Sequence, residues 1–144
     1  MAKKFDYVAR FNGGANAGHT VEAEGKKLDF HMLPSGLLYP HIKNIIGNGV
    51  VIHLETLFNE IKKVEDMGIE VSERLWISNR AHVSTNLHLM ADEIFESRAE
   101  KPIGSTKKGI GYTYGSKMLR QGIRVSNLKH LEDDFLKNKY LQIY

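Results

Sequence analysis

The feature that most constrains the fold is a change of hydrophobic period in mid-chain. Ile45, Ile46, Val50, Val51 and Ile52 form an apolar, β-branched run around Gly47, Asn48 and Gly49. Directly afterwards, Leu54, Leu57, Phe58, Ile61 and Val64 recur at helical spacing, with Gly68 placed to cap the C-terminal end. A buried strand that runs straight into an amphipathic helix is the unit from which α/β sheets are built. The pattern repeats downstream. Leu75, Trp76, Ile77 and Ser78 read as a buried strand with Trp76 in the core. Leu87, Met90, Ala91, Ile94 and Phe95 set the stripe of a second helix that starts near Ser84 or Thr85. The expected class is therefore α/β with a largely parallel sheet.

Upstream, Tyr7 to Phe11 alternates as a short strand. Residues 20–23 and 27–33 flank Glu24, Gly25 and Lys26 as a hairpin. Beyond Pro102 the sequence predicts a long irregular loop and a helix over residues 116–121 that breaks at Gly122. Leu131, Phe135, Leu136 and Tyr140 then keep helical spacing. No internal repeat or linker divides the 144 residues, and at 42% hydrophobic the chain suffices for one domain, residues 1–144, with its own core.

Charge and composition narrow the function classes. Lys and Arg number 20 against 17 Asp and Glu, a net +3 dispersed along the chain. Such a balance suits phosphate ligands but lacks the basic tract of a nucleic-acid tail. Without cysteine there are no disulfides and no cysteine-based zinc sites. No apolar run reaches membrane-spanning length, and residues 1–4 lack the apolar core of a signal peptide, so a cytoplasmic setting is expected.

Two glycine-spaced polar runs are the candidate ligand loops: residues 10–20, RFNGGANAGHT, and residues 103–111, IGSTKKGIG. Glycines permit positive φ and close backbone approach, and the interspersed side chains donate to phosphate or ring oxygens. Taken singly, each run is as compatible with an ordinary turn. His19, read from its loop position alone, fits a surface histidine better than a ligand. Lys107 and Lys108 fit solvated loop lysines. His31, His41, His53, His82, His88 and His130 show no metal-ligand spacing.

Taken together the motifs resemble one family. Asn16-Ala17-Gly18-His19-Thr20, Leu33-Pro34-Ser35-Gly36, Ile46-Gly47-Asn48-Gly49-Val50-Val51, the run at 103–111 and Arg120-Gln121-Gly122-Ile123-Arg124 stand in the order and spacing of adenylosuccinate synthetase. The resemblance covers about residues 5–128. It implies a P-loop-GTPase-like fold with a mixed, largely parallel sheet, a hairpin and flanking helices. It also implies a GTP- and Mg2+-dependent ligation of IMP and L-aspartate in a homodimer.

By resemblance His19 is the general acid that hydrogen-bonds the purine oxygen while that oxygen receives the γ-phosphoryl group. Asn16, Ala17, Gly18, His19, Thr106 and Arg120 match IMP contacts, with Thr106 on the phosphate and Arg120 reaching it from the other subunit. Arg124 is a weaker match for the same surface. Gly18, His19 and Thr20 match GTP contacts, and the Gly18 carbonyl matches a magnesium ligand. Ser105 stands where the family usually has a second threonine, and Tyr112 where proline is common.

Family members begin with a strand and a Gly-Asp-Glu-Gly-Lys-Gly-Lys phosphate loop, whereas only residues 1–4 precede the matching segment here. The expectation is a truncated or split synthetase that keeps mainly the IMP side and is inactive alone. The alternatives are a non-catalytic module that docks on a full-length synthetase, and a purely structural α/β domain. Both glycine-rich loops are expected to move when no ligand or partner holds them.

Overall fold

A computed structural model describes residues 2–23 and 25–130. The helix expected from Leu131, Phe135, Leu136 and Tyr140 lies outside the described residues. Six strands and three helices follow one another as β1 (Tyr7–Gly13), β2 (His19–Ala23), β3 (Lys26–Phe30), β4 (Lys43–His53), α1 (Leu54–Glu65), β5 (Leu75–Ile77), β6 (His82–Ser84), α2 (Asn86–Arg98) and α3 (Ile110–Met118).

β4 organises the sheet. β1 pairs with it in parallel on one side, while on the other side its first half pairs with β5 and its second half with β6, both parallel. β2 and β3 form a separate antiparallel hairpin. A parallel strand enclosed on both faces reads as a continuous apolar run. Val50, Val51 and Ile52 are all fully buried. The pairing of β1 with β4 slips between Arg10 and Asn12, which face Ile46 and Gly49, so β4 carries one extra residue. There the two backbones come so close that a Cβ on Gly49 would lie 2.1 Å from the Phe11 carbonyl oxygen. Only glycine fits.

Helix α1 is where its period places it, with Leu57 and Val64 buried over Phe30, Leu33, Ile46 and Ile52. The His53 imidazole caps its first turn, accepting from the Thr56 backbone N–H. Gly68 takes the left-handed conformation just beyond the helix, at φ +75°.

Three local expectations need correction. Trp76 is not core: it is 48% exposed on β5, where its ring meets Tyr7 and the Lys43 ammonium lies 5.1 Å from the ring centre. A three-residue strand at the sheet margin has no layer over its outer face. The apolar stripe of α2 also faces outward, with Met90 54% and Phe95 65% exposed, while the buried side chain of that helix is His88. Finally, the helix expected at 116–121 spans Ile110–Met118 instead. Gly111 and Gly115 weaken its intrinsic propensity, but packing overrides that. Thr113 is fully buried and donates to the Ser84 hydroxyl, and Gly109 starts the helix in the left-handed region at φ +66°. The short β6 was not legible as a strand, having three residues and little apolar content.

Candidate nucleotide site

The loop at residues 14–18 leaves the C-terminal end of β1, the end of a parallel sheet where ligands commonly bind. Three groups hold it. The Gly13 N–H donates to the Tyr114 hydroxyl at 2.9 Å, and that hydroxyl donates to the Gly49 carbonyl at 2.7 Å, so α3 ties the loop to β4. Gly14 is pressed against Val51 and Ile110; a Cβ there would meet the Ile110 side chain at 2.6 Å. From β1, the Arg10 guanidinium donates to the Gly14 carbonyl at 2.6 Å and also to the His31 carbonyl. Ala15 is buried beneath the loop, and Asn16, Ala17 and Gly18 are presented to solvent.

His19 opens β2 half-buried, its ring edge-on to Phe30 with centres 6.0 Å apart. Burial holds its pKa below the ordinary 6.5, and the Arg10 positive charge pushes the same way, opposed by Glu60. At neutral pH the ring is therefore neutral, one nitrogen donating and the other accepting.

Asn16, Ala17 and His19 share the wall of a cavity of about 400 Å³ with Arg10, Asn12 and Ser35. Thr106 lines a second cavity of about 490 Å³ with Ser105, Ile103, Glu96 and Tyr112, and Asn16 lines this one too. Asn16 is thus the hinge post between the two glycine-rich runs. Arg120 stands apart. It lies in a third, polar cavity of about 430 Å³ with Lys117 and Arg124, at φ +62° just beyond α3. Thr20 and Gly18 line none of these three: the Thr20 hydroxyl donates across the hairpin to Asp29 at 2.5 Å, and Gly18 lies against the His31 ring.

The second run is held by carboxylates from α2. Glu96 accepts the backbone N–H of Gly104 at 2.5 Å and of Ser105 at 3.0 Å. Asp92 accepts the Ser105 hydroxyl at 2.6 Å and the Gly109 N–H at 2.9 Å. These backbone donors therefore serve the protein itself, and Thr106 is the side chain offered to the cavity. A third carboxylate does similar work for the segment that follows β3: buried Glu60 of α1 accepts the N–H groups of His31, Met32 and Leu33.

None of these carboxylates was singled out from sequence, although two signals exist. Glu60 sits between Leu57 and Val64 on the buried face of α1. His88, Asp92 and Glu96 recur every four residues on α2 and so share one side of that helix.

As to metal, the Gly18 carbonyl would supply one oxygen where magnesium takes about six ligands. No group of three His, Cys, Asp or Glu able to hold a metal occurs among the described residues. These residues do not by themselves form a magnesium site. No helix among the described residues is long and apolar enough to cross a membrane.

The adenylosuccinate synthetase family matches residues 1–144. The chain is 50% identical over 138 residues to adenylosuccinate synthetase of Paramecium tetraurelia, covering 95% of this chain and 32% of that protein. It is 45% identical over 147 residues to that of Aquifex aeolicus, covering 96% and 34%. The structure of fully ligated adenylosuccinate synthetase from Plasmodium falciparum superimposes with a TM-score of 0.86 at 42% identity, covering 99% of this chain and 33% of that one. The chain thus spans about a third of the length of the relatives it matches. With the family matching along the whole chain and the fold shared, this chain belongs to the adenylosuccinate synthetase family.

Proposed function

We propose that this chain carries the IMP-side portion of the synthetase reaction, in which GTP phosphorylates the 6-oxygen of IMP and the L-aspartate amino group then displaces that phosphate. What supports the reading is that Asn16 lines both cavities, so that His19 and Thr106 face ligand space joined by one side chain. In this reading the neutral His19 ring donates its N–H to the purine oxygen, and the exposed backbone of Ala17 and Gly18 follows the nucleotide. The Thr106 hydroxyl meets the IMP phosphate.

Arg120, in its separate basic cavity, serves the phosphate of a second subunit in a homodimer. The GTP side would need Gly18, His19 and Thr20 together with the family's phosphate loop. The sequence contains no Gly-x-x-x-x-Gly-Lys-Ser/Thr loop. The chain alone is therefore proposed to be inactive, and its setting cytoplasmic. Among the relatives, the protein from Nicotiana tabacum is described as chloroplastic.

The test is turnover: purified chain with IMP, GTP, L-aspartate and Mg2+, assayed chromatographically for adenylosuccinate. The expected result is no product. Product formation that disappears in His19→Ala would overturn the claim of inactivity and retain the role of His19.

A second reading, a non-catalytic module docking on a full-length synthetase, is favoured by the outward apolar face of α2, with Met90, Ile94 and Phe95 exposed. Size-exclusion of the chain with a full-length synthetase separates the two, since only the docking module forms a stoichiometric complex.

A further inference from the structure

We propose that Glu60 and His31 act as a positioning pair for the loop that presents Gly18 and His19. The functional half of this inference rests on the nucleotide-site reading above. Glu60 lies on the apolar face of α1, 3% exposed. A carboxylate in that place is tolerated only when its oxygens are fully bonded. Its Oε1 accepts the His31 N–H at 2.6 Å, and its Oε2 accepts those of Met32 and Leu33, each at 3.0 Å.

The same Oε1 lies 3.5 Å from His31 Nδ1. That carboxylate favours the tautomer with the proton on Nδ1, in the way carboxylates orient imidazoles elsewhere. On its far edge the ring rests on Gly18: a Cβ there would meet Nε2 at 3.0 Å, Cδ2 at 3.4 Å and Cε1 at 3.5 Å. The line from α1 to the loop is continuous, from carboxylate to imidazole to glycine backbone.

Two details make this more than local packing. The segment Glu60 holds runs directly into Pro34 and Ser35, which line the cavity shared with Asn16 and His19. One carboxylate thereby fixes both the support under Gly18 and the opposite wall. From the other side, Arg10 donates to the His31 and Gly14 carbonyls, so the His31 segment is held between a cation on β1 and an anion on α1, and Arg10 ties it to the loop. The charged groups acting on His19 are this same set, Arg10, Glu60 and His31. A Cβ at position 18 would press on the ring, so the ring has to give by a few tenths of an ångström to admit it.

The test uses NMR of the 144-residue chain. Long-range 1H–15N spectra of the neutral ring are expected to show the proton on His31 Nδ1. His31→Asn leaves Glu60 its three backbone donors. It is expected to shift the Gly18 and His19 amide signals, with those of Met32 and Leu33 unchanged. Gly18→Ala is expected to shift the His31 ring signals, and Glu60→Gln to weaken the tautomer preference. If His31→Asn leaves Gly18 and His19 at wild-type shifts, the positioning role is wrong.

A parallel titration with IMP keeps the two claims apart. Coupling of His31 to Gly18 without an IMP response removes the nucleotide reading and leaves the pair. An IMP response without that coupling removes the pair.

Discussion

Replacing Asp92 by alanine should loosen the second glycine-rich run without disturbing the first. Asp92 accepts two hydrogen bonds, from the Ser105 hydroxyl at 2.6 Å and the Gly109 N–H at 2.9 Å. Bonds to a charged acceptor contribute about 1.5–3 kcal/mol each when fully buried. Asp92 is half-buried, so water replaces part of what is lost, and about 2 kcal/mol for the pair is the working magnitude. That corresponds to roughly 30-fold in a local opening equilibrium.

A further loss follows, because the Ser105 oxygen accepts the Lys107 N–H at 3.1 Å and Lys107 stands at φ +55°. Once the serine is free to rotate, this left-handed residue loses its tie. Native-state amide exchange reads the effect directly. Gly109 should exchange about 30-fold faster in Asp92→Ala, Gly104 should change less because it is held by Glu96, and Asp92→Asn should be mild because an acceptor remains. Exchange at Gly109 within twofold of wild type in Asp92→Ala would refute the reasoning. So would equal effects of the Ala and Asn variants.

Gly49→Ala should destabilise the fold by about 3 kcal/mol or more in urea unfolding, since its Cβ would fall 2.1 Å from a backbone oxygen of β1; a loss under about 1 kcal/mol would mean the strands part easily. Arg120→Gly should raise the melting temperature by relieving a left-handed residue, a gain of about 0.5 kcal/mol after the entropy of glycine is counted, and an unchanged or lowered melting temperature would count against it. Burial holds the His88 pKa below 6.5, where its Nδ1 accepts from the Thr85 N–H at 3.1 Å and its Nε2 meets the Ser116 hydroxyl at 3.1 Å. Protonation is then resisted in the folded state. The stabilisation is complete above about pH 6.5 and is lost as pH falls through the lower folded value, a loss that His88→Gln should reduce and that a pH-independent melting profile would contradict.

Periodicity made much of the fold legible, because β1, the hairpin, β4, α1 and the start of α2 obey local rules that packing does not overturn. Where tertiary contacts decide, the sequence misleads. Gly111 and Gly115 suggest loop, yet Thr113 and Tyr114 anchor them in α3, on Ser84 and Gly49. Trp76 looks like core in a one-dimensional pattern, but the margin of a sheet has an open face.

In the site, glycine spacing pointed to the loops and the family resemblance to Asn16, Ala17, His19 and Thr106, which the fold gathers around two adjoining cavities. The groups that hold those loops and the neighbouring segment at 31–33, Arg10, Glu60, Asp92 and Glu96, carry no signal of that role because charged residues in strands and helices are ordinarily solvated. Their role depends on partners 4 to 29 residues away. For the same reason the expected looseness of the second loop gives way to an expectation of protected amides at Gly104, Ser105 and Gly109.

Calorimetric titration of the chain with IMP tests the central claim most directly, with Asn16→Ala and Thr106→Val as the decisive variants. If His19, Asn16 and Thr106 face one nucleotide, wild-type chain gives a saturable response that weakens at least tenfold in Asn16→Ala, whose side chain joins the cavities, and several-fold in Thr106→Val, which loses a phosphate donor. No saturable response in the wild type, or one indifferent to both substitutions, would contradict the account.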